Sequence, residues 1–243
     1  MYDIHCHILY DVDDGSDSLE ESVKMVRFAY NSGTDAIVAT PHCNVPDSYE
    51  NYWGRELSEK VKRLRNAINE QNLPVKVFCG QEIFCTGRTP ELLEAGKLIT
   101  INNSRYALIE FDFHEYAASA YRKISQLVSM GCVPIVAHPE RYAFVSEEED
   151  AVIKMKALGA LIQMNKGSLS GGFGSQARHN AYRLLDQRLV DFVASDAHSP
   201  YMRTPDMSAA HEEVSEVFSF SYAQMIFEEN PRLVIADKKV NTY

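Results

Sequence analysis

Two histidines two residues apart open the chain, His5 and His7 in Asp3-Ile-His-Cys-His7. Alternate side chains of a strand share a face, so a strand here aims both imidazoles at one point. Neutral imidazole is a common ligand for zinc, iron, manganese and related metals. Two imidazoles make half a site, and further donors follow along the chain. Asp14 sits in the carboxylate-rich run Tyr10-Asp-Val-Asp-Asp-Gly15. His42 follows Thr40-Pro41, Glu82 follows Gly80-Gln81, Glu110 ends Tyr106-Ala-Leu-Ile-Glu110, and His138 follows Val133-Pro-Ile-Val-Ala137. Asp196 and His198 repeat the two-apart spacing after Val190-Asp-Phe-Val-Ala194. A histidine such as His42, taken alone, reads as an ordinary loop residue. A carboxylate in an apolar run, as at Glu110, is costly unless paired or metal-bound. Together the five histidines and four carboxylates form a mixed nitrogen and oxygen donor set. That set suits a multinuclear manganese, iron or zinc site rather than a structural cysteine-type zinc site.

The elements that must position these donors follow from apolar periodicity and breaker residues. Strands are expected at 3–7, 35–40, 75–79, 106–111, 133–137, 160–164 and 190–194. Helices are expected from the capping box at Ser18 to about Asn31, ended by Gly33, and at 48–72, 90–95, 115–130, 147–158 and 175–188. A mostly helical tail runs to about 236, and residues 167–174, with four glycines, read as a flexible loop. About seven strands alternating with helices imply parallel strands with crossover helices, for which an α/β barrel is the natural closure. In such barrels the chemistry sits at the C-terminal ends of the strands, where nearly all of these donors fall. No linker or composition break divides the 243 residues, so residues 1–243 are read as one domain.

Bulk properties exclude several classes. The net charge of −10 argues against nucleic acid or an anionic membrane as the main partner. No run is long enough to span a membrane, and no signal peptide is recognisable. Five cysteines (6, 43, 79, 85, 132) form no small-scaffold disulfide framework, which points to a reduced, cytoplasmic chain. None of them begins a Cys-x5-Arg phosphatase motif, and a P-loop is absent. Cys6, between the two ligands, is expected to pack on the opposite face, and His114, His179 and His211 are read as surface residues.

The segments carrying these donors, with Ser104-Arg-Tyr-Ala-Leu-Ile-Glu-Phe111, Ala137-His-Pro-Glu-Arg-Tyr142, Ala194-Ser-Asp-Ala-His198 and Asn230-Pro-Arg232, resemble the PHP (polymerase and histidinol phosphatase) superfamily of metal-dependent phosphoesterases. Within it the likeness is to the tyrosine phosphatases of bacterial capsule and exopolysaccharide operons, the CpsB/YwqE type. The resemblance implies a distorted (β/α)7 TIM-like barrel, the PHP fold, with a trinuclear centre usually described with manganese. It implies the metal ligands His5, His7, Asp14, His42, Glu82, Glu110, His138, Asp196 and His198, the last two also catalytic. The implied phosphate-binding, catalytic arginines are Arg141 and Arg203, the latter in Arg-Thr-Pro205 where the family typically reads Arg-Pro-Pro. The implied substrate is the tyrosine-rich tail of a bacterial tyrosine autokinase. The loops at 43–54 and 167–174 are candidates to frame the entrance. Other readings that share the fold are a small-molecule phosphatase, such as a histidinol-phosphate phosphatase, and a phosphodiesterase or exonuclease. A non-catalytic metal-binding regulator that docks the kinase is the reading from another class. The native metal, the general acid and the oligomeric state stay open at this point.

Overall fold

The computed structural model describes residues 1–242. Its elements run β1 (Tyr2–Cys6), α1 (Leu19–Asn31), β2 (Ala36–Ala39), β3 (His42–Cys43), α2 (Arg55–Glu70), β4 (Lys76–Cys79), β5 (Glu82–Phe84) and α3 (Thr89–Glu94). They continue with β6 (Tyr106–Glu110), α4 (Ala117–Ser129), β7 (Val133–Ala137), α5 (Ala143–Glu147), α6 (Ala151–Ala157), β8 (Leu161–Asn165), α7 (Lys166–Leu169), α8 (Ser175–Asp186) and β9 (Phe192–Ala194). Helices α9 (Ser208–Val217), α10 (Phe220–Gln224) and α11 (Asn230–Ile235) close the chain.

The strands form two all-parallel sheets, β1-β2-β4 and β3-β5-β6-β7-β8-β9. Two of the seven expected strands are interrupted. The second breaks at Thr40-Pro41 and the third at Gly80-Gln81, and each resumes two residues later in the other sheet. Proline at the first break removes a ladder donor. Hydrogen bonds Gly80 N–H to Ala39 O (3.0 Å) and Glu82 N–H to Pro41 O (3.1 Å) carry the register across both breaks. The ring is completed between its first and last strands by a parallel bridge of Cys6 with Ala197. There Asp196 N–H donates to His5 O at 2.8 Å and His7 N–H to Ala197 O at 2.9 Å. Seven strand positions, two of them broken, make the barrel that the alternation anticipated, in the distorted (β/α)7 form that the resemblance implied.

Central strands are buried on both faces, as parallel sheets covered by helices must be. In β6, Ala107 and Ile109 pack in one cluster with Ile124 and Leu127 of α4, while Leu108 packs in another with Val38, Ile135 and Phe192. Helix α1 starts where expected. Ser18 Oγ accepts from Glu21 N–H at 3.2 Å, and the Glu21 carboxylate accepts from Asp17 N–H rather than closing the box on Ser18. Helix α2 buries Leu57, Val61, Leu64 and Ile68 along one stripe.

Four expectations are corrected. The helix expected from 48 begins at Arg55, because Asn51 holds a φ of +38°, which no right-handed helix allows, and Gly54 is extended. The helix expected over 147–158 begins only at Ala151: Glu147 ends the preceding short helix α5, and Glu148 turns extended (φ −114°, ψ 107°). The glycine-rich stretch after Lys166 is not all loop: Lys166–Leu169 is helical, and Gly171 and Gly174 (φ +80° and +93°) turn the chain into α8. His211 is half-buried against Phe227, with ring centroids 5.2 Å apart. The other two, His114 and His179, are exposed, and Cys6 packs into the core against the helical layer.

Gly15 returns the opening loop against β1. A Cβ there would stand 2.3 Å from His7 O and 2.6 Å from His7 Cβ. Gly15→Ala is therefore expected to destabilise the fold by about 1–3 kcal/mol, read as a lowered thermal midpoint.

Candidate metal centre

All nine donors expected from the sequence meet at the C-terminal end of the ring. Three groups of ligand atoms lie within 4.8 Å of one another: His5, His7, Glu82 and Asp196; His7, Asp14, His42 and His198; and His42, Glu82 and Glu110. His138 stands beside them, its Nε2 2.8 Å from Glu82 Oε1 and 3.9 Å from Glu110 Oε2. Glu82 is the hub. Its Oε2 lies 3.1 Å from His5 Nε2, 3.1 Å from His42 Nδ1 and 3.3 Å from His7 Nε2. Yet Glu82 Oε2 and His198 Nε2 are buried, and neither meets its charged neighbours with hydrogen-bond geometry. Divalent cations among these atoms satisfy both, so the donor set fits a metal centre on geometry as well as on residue type.

A second layer fixes which ring nitrogen faces inward. His5 Nδ1 meets Gln163 Oε1 at 2.7 Å, His7 Nδ1 meets Asp13 Oδ2 at 2.7 Å, and His198 Nδ1 meets Asp196 O at 3.0 Å. Each contact leaves Nε2 for the cluster, the arrangement that metal-bound histidines use. Gln163 is itself held by Asn165 (2.9 Å), whose side chain donates to Asp196. Sequence reading missed Asp13, Gln163 and Asn165. Asp13 also accepts from His42 and Gly15 N–H at 2.9 and 3.0 Å, so the adjacent carboxylates divide the work. Asp13 is buried and orients, while Asp14 is half-exposed and reaches His42 and His198. The only signal for Gln163 and Asn165 was polarity at alternate positions of a buried strand.

Burial opposes charge on His5, His7 and His42, but neighbouring carboxylates outweigh it and raise all three, His42 to about 9. Burial likewise opposes charge on Glu82 and Asp196, yet the imidazoles hold both well below the usual carboxylate range. His198 is lowered, by burial and by the charge of His7. In metal-free protein His5, His7 and His42 thus serve as cations of the cluster. The cysteines offer no rival nucleophile: burial raises all five thiols, Cys43 and Cys85 to about 12 and Cys132 to about 11.

Arg141 and Arg203 flank the cluster on the Asp196 side. Arg141 Nη1 is 3.7 Å and Arg203 Nη2 2.5 Å from Asp196 Oδ2. The Arg141 guanidinium lies between two aromatic rings, 4.5 Å from the Phe113 centroid and 4.3 Å from Phe173. Phe173 brings the 167–174 loop to the rim, and Tyr49, stacked on His42 (5.9 Å, 8°), brings the 43–54 loop. His138, Asp196 and Arg203 all adopt left-handed backbone, with φ of +36°, +49° and +51°. That conformation costs roughly 1–3 kcal/mol per non-glycine residue and concentrates at functional sites. Hydrogen bonds hold it in place: His138 N–H to Gln163 O (2.7 Å) and His198 N–H to Arg203 O (2.9 Å). The turn after β7 is pinned by Glu140, which accepts from Asn165 N–H and Ser168 Oγ at 3.0 and 2.6 Å.

Residues 1–236 match the family model described as capsular polysaccharide synthesis, CpsB/CapC. The chain is 33% identical over 240 residues to the tyrosine-protein phosphatase YwqE of Bacillus subtilis (strain 168), covering 99% of this chain and 93% of that one. It is 32% identical over 250 residues to the tyrosine-protein phosphatase CpsB of Streptococcus pneumoniae, covering 99% and 100%. A solved structure from a study of YwqE and CpsB, described as unique metal-dependent tyrosine phosphatases, superposes with a TM-score of 0.93 at 32% identity, covering 100% of this chain and 97% of that one. A histidinol phosphate phosphatase from Lactococcus lactis shares the fold alone, with a TM-score of 0.58 at 14% identity over 93% and 94% of the chains.

Two predictions follow from the geometry. Because His42 titrates near 9 in the metal-free protein, it is charged at pH 7 and must lose its proton to become a ligand. Metal affinity should therefore rise as pH increases toward about 9, by up to about tenfold per unit for each proton displaced. Calorimetry in buffers of different ionisation enthalpy reads the proton release. Asp13→Ala, which frees His7 from its orienting partner, should weaken metal binding about 10- to 100-fold in equilibrium dialysis, with the fold retained.

Proposed function

We propose that this chain, which belongs to the CpsB/CapC family, is a metal-dependent protein-tyrosine phosphatase. The observation that supports it most is the convergence of nine metal-type donors from separate strand ends on one buried cluster, with two arginines on its flank. The ligands in this reading are His5, His7, Asp14, His42, Glu82, Glu110, His138, Asp196 and His198. Bound divalent metals supply Lewis acidity and bring the pKa of water toward neutrality. Manganese is the metal we favour, three per chain, and these nine residues would hold them. Iron and zinc suit the same mixed donors.

The protein's own groups do the rest. Arg141 and Arg203 bind the phosphoryl oxygens and offset the charge that grows on them in the transition state. Stacking between Phe113 and Phe173 holds the Arg141 fork ready, so little order is lost on binding. Asp196 joins the two halves of the site, facing His5, His7 and His198 on one side and both arginines on the other. A phenol near pKa 10 leaves more readily than an alkoxide, which favours tyrosine over serine esters. With all five thiols raised, displacement needs no cysteine phosphoenzyme.

The physiological substrate in this reading is the tyrosine-rich tail of a bacterial tyrosine autokinase that controls capsule or exopolysaccharide synthesis. A flexible tail reaches a recessed cluster that a folded surface cannot. Five free thiols suit a reducing cytoplasm, and among the described residues no helix is long and apolar enough to cross a membrane. The histidinol-phosphate alternative would use the same metal set, and the solved histidinol phosphate phosphatase is similar to this chain in fold alone.

The test is hydrolysis of a phosphotyrosine peptide by metal-loaded protein. Arg141→Ala should lower kcat/KM by about 2–4 kcal/mol, or 10²–10³-fold, by analogy with the loss of an oxyanion donor. His138→Ala and Asp196→Ala should abolish turnover with the circular dichroism spectrum retained. Near-normal turnover by either would sink the ligand assignment.

A further inference from the structure

Beside the metal cluster, a cleft of about 200 Å³ opens from His42 and Glu110 outward between Val45, Tyr49, Phe84 and Phe113. We infer that this cleft receives the aromatic ring of the substrate, so that shape and apolar contact select phosphotyrosine over shorter phosphoesters. The inference deepens the phosphatase reading and rests on it.

The cleft's floor belongs to the candidate centre, since His42 and Glu110 are hydrogen-bonded at 3.0 Å and share one donor group. A ring seated there delivers its ester oxygen to the edge of the cluster. Apart from the exposed Asp112, the walls are apolar. Phe113 is 41% exposed, directly after β6, at the mouth of a site otherwise made of charges. Val45, Tyr49 and Phe84 are half-buried. An exposed aromatic set against a polar cluster marks a ligand surface more than a core. Phe113 also stands against the Arg141 guanidinium, so one side chain borders both the ring cleft and the phosphate-binding arginine.

The walls are already in place. Asn44 Nδ2 donates to Phe84 O at 2.9 Å and ties the loop wall to the strand wall. Asn51 Nδ2 donates to Val12 O and His42 O at 2.7 and 2.9 Å, and Gln81 Nε2 donates to Asn51 O at 2.7 Å. A preformed cleft loses little entropy on binding. Its size is below the roughly 300–1,000 Å³ of pockets for drug-sized ligands, so it suits one ring. A phosphoserine side chain, with no ring, leaves these walls without contact. Aromatic packing of this kind corresponds to about tenfold or more in affinity.

Two non-hydrolysable probes separate ring from phosphate: phenylphosphonate and methylphosphonate, titrated into the manganese-loaded protein by calorimetry. The wild type should bind the phenyl compound at least about tenfold tighter. Phe84→Ala, which strips a wall, and Val45→Trp, which fills the cleft, should each bring that ratio to within about twofold, with methylphosphonate affinity and bound manganese unchanged. Equal binding of both probes by the wild type, or a ratio that survives in Val45→Trp, would overturn the ring subsite and leave the phosphatase reading standing. Failure of the wild type to bind either probe would overturn both.

Discussion

A buried carboxylate with no lysine or arginine beside it sets the terms for this molecule. Glu82 is fully buried, and among the described residues the side chains facing it are the imidazoles of His5, His7, His42 and His138, the first three of them raised by neighbouring carboxylates. An isolated buried carboxylate is prohibitively costly, so the site must be neutralised either by protonated histidines or by metal. The two solutions exclude each other at any one imidazole, because a ligand nitrogen has to be deprotonated. The chain therefore holds a cluster that binds protons when metal is absent and releases them when it arrives. Asp196 extends the same logic to the flank, where Arg141 and Arg203 share its outer oxygen.

The barrel exists to bring those charges together without letting them relax. Breaks after Ala39 and Cys79 move His42 and Glu82 from strand ends to the first residues of new short strands. Those strands pair with each other and, through β5, with β6, so His42 and Glu82 stand in register opposite one another. Ring closure between β1 and the segment after β9 brings the His5–His7 pair against Asp196 and His198, nearly two hundred residues away in sequence. His138 and Asp196, just past the ends of β7 and β9, adopt left-handed backbone where their side chains join the cluster, and so does Arg203 in the loop that follows β9. Local strain of this kind is sustained by the surrounding hydrogen bonds and is typical where function dictates conformation.

Much of this was legible in the sequence because the fold's rule is simple: apolar run, then donor. His-x-His, Glu110 inside an apolar strand and the Asp-x-His echo at 196–198 each announce themselves by breaking a hydrophobic pattern. The parallel barrel follows from the alternation. What was not legible depends on which of two neighbours points inward. Asp13 and Asp14 are chemically identical, and only the turn through Gly15 decides that one orients His7 while the other reaches His198. Gln163 and Asn165 looked like strand polarity until Asp196 and His5 arrived from distant strands to meet them. Residues 48–54 read as the start of a helix because the charge pattern of 48–72 is amphipathic. The left-handed residue that forbids it there is Asn51, whose backbone preference the periodicity does not register.

The central claim is that this cluster is a metal centre built by nine donors. Its most direct test is a crystal of manganese-soaked protein, with anomalous difference maps collected on either side of the manganese absorption edge. The account predicts three manganese peaks per chain within the cluster formed by His5, His7, Asp14, His42, Glu82, Glu110, His138, Asp196 and His198. A map without anomalous density among these residues, at manganese concentrations that support phosphotyrosine hydrolysis, would contradict it.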